Sequence, residues 1–229
     1  MELKNINRAS ELIVDIWKIY QNTNVQNDYR IFNNTGKGAN SNSASHRIRL
    51  FHDQFGWDAW QSRCNDVFYV TEQFKEEMTG NGEVHGEHLI PVNLLSKYIY
   101  FWLKPKSPIE IFDFLLFNSI VVGVSKYEEK NVLNQERTIY NLTKKWSKDH
   151  PNFRYTDGRP TNCEGVQMTI SDINPFNRYA GLNLKVINKL NSEPIDIKMY
   201  KLQYHYQLIK MQYGKMIEDV HIKLNEYED

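Results

Sequence analysis

The length, composition and charge of this chain exclude several broad classes of protein. Its 229 residues are 41% hydrophobic and 24% charged, which is an ordinary globular composition with enough chain for one core, unlike that of a disordered protein. Lys plus Arg and Asp plus Glu both number 28, so the chain is not a generally basic nucleic-acid binder. A neutral total charge does not exclude a local basic cleft.

The cysteines and the hydropathy pattern predict the compartment. Cys64 and Cys163 lie far apart without a pairing signature, and the absence of a CxxC motif excludes a zinc ribbon. The N-terminus does not resemble a signal peptide, and no apolar run is long enough to span a membrane. We therefore expect reduced thiols and a cytoplasmic protein that does not enter a membrane.

The first part of the chain is predicted to contain a packing helix and a polar loop. Apolar residues recur at helical spacing across residues 9–20. Residues 33–45 are rich in Gly, Asn and Ser, which favours a flexible loop, and they lack the pattern of a P-loop. This loop either orders on a DNA backbone, with Lys37 as a contact, or is an ordinary surface loop.

The next predicted helix carries a basic face. Residues 46–60 place apolar and basic residues at helical spacing, with a break expected at Gly56. Arg47, Arg49 and His52 lie among the basic residues of this face. The face could contact DNA phosphates, with Arg47 and Arg49 as the candidate residues, or it could simply be solvated.

Acidic and imidazole side chains are concentrated between Glu83 and His88. In an extended segment the side chains alternate between two faces, so His85 and Glu87 share the face of Glu83. His88 then turns to the other face. Pro91 is suited to the first turn of a helix, which the apolar residues after it predict.

The residues Glu87-His88-Leu89-Ile90-Pro91 resemble the first motif of the HNH, or ββα-metal, nucleases. The resemblance implies that His88 activates a water molecule and that Glu87, with Glu83, holds a divalent ion, Mg²⁺. Hydrolysis of a phosphodiester needs a nucleophile near neutral pH and a cation that neutralises developing charge. Residues 183–191 resemble the second half of the motif, but they lie much farther along the chain than is usual in the family.

Two other arrangements of the same chemistry stay open. Asp196-Ile197-Lys198 resembles the signature of the PD-(D/E)XK nucleases, with Asp172 as the upstream acid. In such a site two carboxylates hold Mg²⁺, and the lysine orients or deprotonates a water molecule. The other arrangement would use Asp66, Glu83 and His85.

The rest of the chain predicts short strands and several helices. Strands are expected over residues 66–71 and 119–125, and helices over 92–102, 108–116 and 127–142. Proline at the first position favours the helix that begins at Pro108. Glu128 and Glu129 are expected to be solvated.

Two later segments could bind partners. Residues 143–165 look irregular and interleave basic with aromatic side chains, which either grip DNA or form an ordinary surface loop. The candidate DNA contacts in this segment are Lys144, Lys145 and Arg154. Residues 198–225 predict a long aromatic amphipathic helix, which packs on the core or pairs with a second subunit.

Together these patterns predict a mixed α+β fold, in which residues 1–229 form a single compact nuclease domain with a small sheet flanked by several helices. The size and the absence of a motor or nucleotide-binding motif resemble type II restriction endonucleases. That resemblance implies a homodimer that cuts double-stranded DNA at specific sites with Mg²⁺. A metal-dependent hydrolase of a small substrate and a non-catalytic DNA-binding accessory protein stay open as alternatives.

Overall fold

The computed structural model describes residues 5–22, 43–57, 64–77, 84–90, 92–133, 155–156, 159–160, 175–179 and 184–227. These residues fall into two compact units. The first unit is drawn from the ranges 1–66, 90–120 and 203–229, and the second from the ranges 67–89 and 121–202. The expectation of one domain over residues 1–229 stays a prediction.

Helices and a small sheet make up the described part of the chain. The helices are α1 (Ile6–Asn22), α2 (Ala44–Gln54), α3 (Glu72–Glu77), α4 (Val92–Tyr98), α5 (Pro108–Asn118), α6 (Lys126–Glu128) and α7 (Leu202–Asn225). π-helical turns extend α4 over Ile99–Leu103 and α6 over Glu129–Leu133, and a 3-10 turn covers Pro175–Tyr179. The strands are β1 (Tyr69–Thr71), β2 (Val84–His88), β3 (Val121–Ser125), β4 (Tyr155–Thr156), β5 (Arg159–Pro160), β6 (Val186–Asn188) and β7 (Glu193–Pro194). The mixed α+β class predicted from the sequence is therefore confirmed.

The first unit is helical, and its core is built from the apolar faces of its helices. Leu12, Ile13 and Ile16 repeat at helical spacing on α1 and have no exposed surface. Phe51 of α2 meets Phe112 of α5 edge to face, with ring centroids 6.0 Å apart. None of the helices in the described ranges is long and apolar enough to cross a membrane.

Gly56 explains why the second helix ends where it does. α2 stops at Gln54, whereas the sequence predicted a helix over residues 46–60 with a break at Gly56. Gly56 has a φ of +73°, which residues with side chains rarely adopt, and an added Cβ would lie 2.5 Å from a carboxylate oxygen of Asp66. The predicted break is confirmed, and it has both a conformational and a packing cause.

The second unit contains a five-stranded mixed sheet in the order β2-β3-β1-β6-β7. β1 and β3 are parallel, and the other neighbouring strands are antiparallel. β3 is buried along its whole length, which suits its valine-rich sequence. β2 lies at one edge of the sheet, next to β3.

Most predicted elements are confirmed, with shifted ends. The two strands predicted from apolar and β-branched residues are found as β1 and β3. The helix predicted over residues 198–225 begins at Leu202, and the helix predicted over 127–142 is described as far as Leu133. The expectation that Glu128 is solvated is wrong, because this residue is only 4% exposed.

Candidate active site

The edge strand β2 brings together two of the residues that the sequence singled out. His85 and Glu87 lie two positions apart on β2 and therefore share a face of the sheet. His85 Nε2 lies 3.3 Å from Glu87 Oε2. The prediction that these two residues share a face is confirmed, whereas Glu83 lies outside the described residues.

Two residues from the turn after β3 complete the cluster. Glu129 Oε1 lies 3.7 Å from Nδ1 of His85, the ring nitrogen that does not face Glu87. Lys126 Nζ in turn lies 2.6 Å from Glu129 Oε2. We call these four side chains the edge cluster: His85, Glu87, Lys126 and Glu129.

The local fold explains why Lys126 and Glu129 reach His85. β2 and β3 are antiparallel, so the chain that leaves β3 at Ser125 passes beside the start of β2. The Ser125 hydroxyl accepts a hydrogen bond from the Glu128 N–H at 3.0 Å, and the Glu128 carboxylate accepts one from the Ser125 N–H at 2.9 Å. This capping box starts a helical turn, on which positions three apart such as Lys126 and Glu129 lie on the same side.

The edge cluster is partly open to solvent and carries an excess of negative charge. The exposed fraction of the side chain is 31% for His85, 19% for Glu129 and 11% for Glu87. Two carboxylates and one ammonium group leave a net negative charge when the imidazole is neutral. Because partial burial weakens solvent screening, such a cluster attracts cations and repels an anionic substrate that arrives without one.

His88 does not belong to the edge cluster. It follows Glu87 on β2, so its side chain leaves the sheet on the opposite face. It is 9% exposed and pairs in register with Val121 of β3. The structure therefore separates the two residues that the HNH resemblance joins, and it places Glu87 with His85 instead.

The edge cluster has the right chemistry for Mg²⁺ but forms no closed set of ligands. Among the described residues, no three His, Cys, Asp or Glu side chains converge closely enough to hold a metal ion. Mg²⁺ is commonly bound through one or two carboxylates, with water and substrate phosphate oxygens completing its shell. Glu87 and Glu129 could supply these carboxylates.

The alternative signature of an acid and a lysine lies in an exposed turn. Asp196 follows β7, and its Oδ1 accepts hydrogen bonds from the backbone N–H groups of Lys198 at 3.0 Å and Met199 at 3.3 Å. This carboxylate therefore stabilises its own turn. Asp172, the upstream acid, lies outside the described residues. Asp66, from the other alternative, belongs to the first unit and not to the unit that holds the edge cluster.

Two of the predicted DNA contacts fall within the described residues. Arg47 lies on α2 with its Nε 3.4 Å from Asp15 Oδ2, and Arg49 is exposed. The prediction that His52 belongs to the basic face is wrong, because His52 is wholly buried and its Nε2 is hydrogen-bonded to Ser119 Oγ at 2.7 Å. Outside the described residues lie 33–42 of the predicted loop, including Lys37, and also Lys144, Lys145 and Arg154.

Lys126 was not predicted from the sequence to belong to the site, and Glu129 was expected on a solvated helix face. The pattern Ser125-x-x-Glu128 is a capping-box signal, and it locates the start of the helical turn. No local pattern, however, indicates that this turn lies beside His85. That proximity depends on the pairing of β2 with β3, which brings distant parts of the chain together.

No protein family, curated protein or solved structure matches this chain. The resemblance of residues 87–91 to the HNH nucleases therefore stands on those residues alone. The edge cluster is likewise interpreted from its own geometry.

Proposed function

We propose that this chain is a metal-dependent endonuclease that hydrolyses phosphodiester bonds in double-stranded DNA at specific sites, in the manner of type II restriction enzymes. The edge cluster carries this proposal, since it holds an imidazole between two carboxylates, beside a lysine, at a partly open sheet edge. Such a hydrolysis uses these groups. A homodimer, a cytoplasmic location and DNA contacts from Arg47 and Arg49 belong to the same proposal.

His85 acts as the general base in the proposed reaction. A neutral imidazole carries one proton, so one of its nitrogens donates and the other accepts. The contact of Nε2 with Glu87 is the shorter one at 3.3 Å, which makes Glu87 the carboxylate that orients the ring. The 3.7 Å between Nδ1 and Glu129 exceeds a hydrogen-bond distance and leaves Nδ1 to accept a proton from water.

Lys126 and Glu129 position the phosphate in this proposal. The ammonium of Lys126 lies 2.6 Å from the Glu129 carboxylate, and the Lys126 side chain is 33% exposed, so it can also meet an incoming phosphate oxygen. A Mg²⁺ ion held by Glu87 and Glu129 would neutralise the excess negative charge and stabilise the leaving oxyanion. His88 remains the alternative base, because the motif of residues 87–91 assigns that role to it.

Cleavage of plasmid DNA by the purified full chain, with Mg²⁺ and with a chelator in its place, tests the proposal. Discrete bands that require Mg²⁺ support a site-specific endonuclease. A mobility shift without cleavage would support the DNA-binding accessory protein instead. The absence of both would contradict the proposal and favour a hydrolase of small substrates.

Two matched lysine variants test whether cleavage depends on the edge cluster or on positive charge in general. Lys126→Met removes the ammonium that meets Glu129, whereas Lys130→Met removes the ammonium of an exposed lysine from the π-helical turn that follows. We expect Lys126→Met to slow cleavage about 100-fold and Lys130→Met to leave it unchanged. Equal rates for the two variants would remove the edge cluster from the reaction, even if the wild-type chain cuts DNA.

A further inference from the structure

α7 is amphipathic in an unusual way, because it carries a regular stripe on its exposed side as well as on its buried side. Ile209, Tyr213, Val220 and Leu224 recur at helical spacing and are buried. The Tyr213 ring packs edge to face against Phe55, with centroids 5.4 Å apart. This side of α7 is therefore buried within the first unit.

The opposite side of α7 presents a second stripe to solvent. Met211 is 72% exposed and Ile222 is 64% exposed, so two large apolar side chains of this packed helix face solvent. We call this stripe the α7 seam, and its residues are Met211, Lys215, Glu218 and Ile222, all of them exposed. Consecutive members lie alternately three and four positions apart, which is the spacing of a coiled-coil interface.

The charged and apolar residues of the α7 seam are arranged symmetrically about its centre, which fits a second copy of the same helix. Lys215 and Glu218 lie at its centre, Met211 lies four positions before Lys215, and Ile222 lies four positions after Glu218. In an antiparallel pair of helices related by a two-fold axis, residues equally far from the axis face each other. An axis midway between Lys215 and Glu218 therefore sets Lys215 against the partner's Glu218 and Met211 against the partner's Ile222.

We propose that the α7 seam is a homodimer interface, in which α7 of one chain packs antiparallel against α7 of a second copy. Each cation then meets an anion and each apolar side chain meets an apolar one, twice over by symmetry. A parallel pair in register would set lysine against lysine and glutamate against glutamate, so the charges select the antiparallel arrangement. The proposed nuclease function includes a homodimer, but the argument for the α7 seam uses only the residues of α7 and does not require that the protein cleaves DNA.

Charge exchange tests the interface without DNA. Sedimentation equilibrium of the full chain should show a concentration-dependent dimer. Lys215→Glu and Glu218→Lys should each raise the dissociation constant about tenfold or more, because each leaves like charges facing across the axis. The double variant K215E/E218K should restore dimerisation, and Lys130→Glu, at an exposed site in the second unit, should have no effect.

The double variant also sets opposite charges three positions apart within each helix, which could stabilise the monomer alone. Melting temperatures at a dilute, monomeric concentration separate this effect from dimerisation. Equal melting temperatures with the expected order of dissociation constants support the interface. A wild-type chain that stays monomeric, singles that dimerise normally, or a double variant without rescue would each overturn it.

Cysteine cross-linking fixes the direction of the two helices. In a Cys163→Ser background, which leaves the buried Cys64, the pair M211C/I222C should form a covalent dimer on mild oxidation. Met211→Cys alone should not, because the two copies of position 211 lie far apart in the antiparallel pair. Cross-linking by Met211→Cys alone would overturn the antiparallel arrangement.

Discussion

Glu87 and His88 are neighbours in the chain, but they lie on opposite faces of β2. Glu87 meets His85 at 3.3 Å, whereas His88 points to the other side of the sheet. Side chains on one face of a strand can reach the same phosphate together, so the geometry favours the pair of His85 and Glu87. The local sequence motif favours Glu87 and His88, and the two assignments predict different mutants.

Replacing each histidine separately distinguishes these assignments. His85→Ala removes the imidazole that contacts two carboxylates, and we expect cleavage to fall about 100-fold or more while DNA binding persists. His88→Ala empties a largely buried site, so its main expected effect is a lower melting temperature. Initial rates of plasmid nicking, taken beside melting curves, check this. A His88→Ala protein that is folded but inactive would return the role of base to His88.

The adjacent residues Glu128 and Glu129 should behave in opposite ways. The Glu128 carboxylate accepts hydrogen bonds from Thr71 Oγ1 at 2.5 Å and from the Ser125 N–H at 2.9 Å, so Glu128→Ala leaves two buried donors unsatisfied. We expect this variant to lose about 1–3 kcal/mol of unfolding free energy. Glu129→Ala should lose less than about 1 kcal/mol, because its ion pairs are partly exposed, and should lose cleavage instead.

Urea denaturation and plasmid cleavage, measured on both glutamate variants, check this contrast. A stable Glu128→Ala protein would show that the capping box is not needed for the fold. An active Glu129→Ala protein would remove that carboxylate from the proposed site, whatever its stability.

The longer helices and the strands β1 and β3 follow from local patterns, and that is why they could be predicted from the sequence. The burial of His52 also follows a local pattern, because His52 lies four residues after Ile48 on α2 and therefore on the same face, but it was assigned to the basic face by its residue type. The edge cluster could not be predicted from local sequence patterns. Lys126 and Glu129 meet His85 only through the register of β2 with β3, and hydrophobic periodicity does not encode strand pairing.

The buried histidines of the first unit should make the protein sensitive to acid. Burial lowers the pKa of His52 and of His205 from 6.5 to about 3, so the folded state favours their neutral forms. Stability from these groups is complete above pH 6.5 and declines as the pH falls from 6.5 towards 3. Each histidine contributes up to about 1.4 kcal/mol per pH unit to that decline.

His205→Leu removes one of these two titrations. We expect the unfolding free energy of the variant to fall less steeply with decreasing pH than that of the wild type. Denaturation midpoints at several values between pH 7 and pH 4 measure the two slopes. Identical slopes would mean that the acid sensitivity has another origin.

Gly123 should not tolerate even a methyl group. It lies on β3, and a Cβ built there would be 2.8 Å from the ring of Phe74 on α3. Gly123→Ala must therefore displace either the aromatic ring or the strand, at a cost of about 1–3 kcal/mol. Urea denaturation measures the loss, and the smaller side chain of Phe74→Leu should recover part of it in the double variant. A Gly123→Ala protein of normal stability would contradict the close packing of α3 on the sheet.

The same substitution at Gly214 should have the opposite effect. Gly214 lies within α7, its φ is not in the left-handed region, and a Cβ built there would have no atom within 4 Å. Alanine loses less backbone entropy than glycine when a helix forms, and here it meets no obstacle. Gly214→Ala should therefore raise the unfolding free energy by about 0.5–1 kcal/mol. Gly123→Ala and Gly214→Ala each add one methyl group. A loss of stability in both variants would contradict the open space beside Gly214.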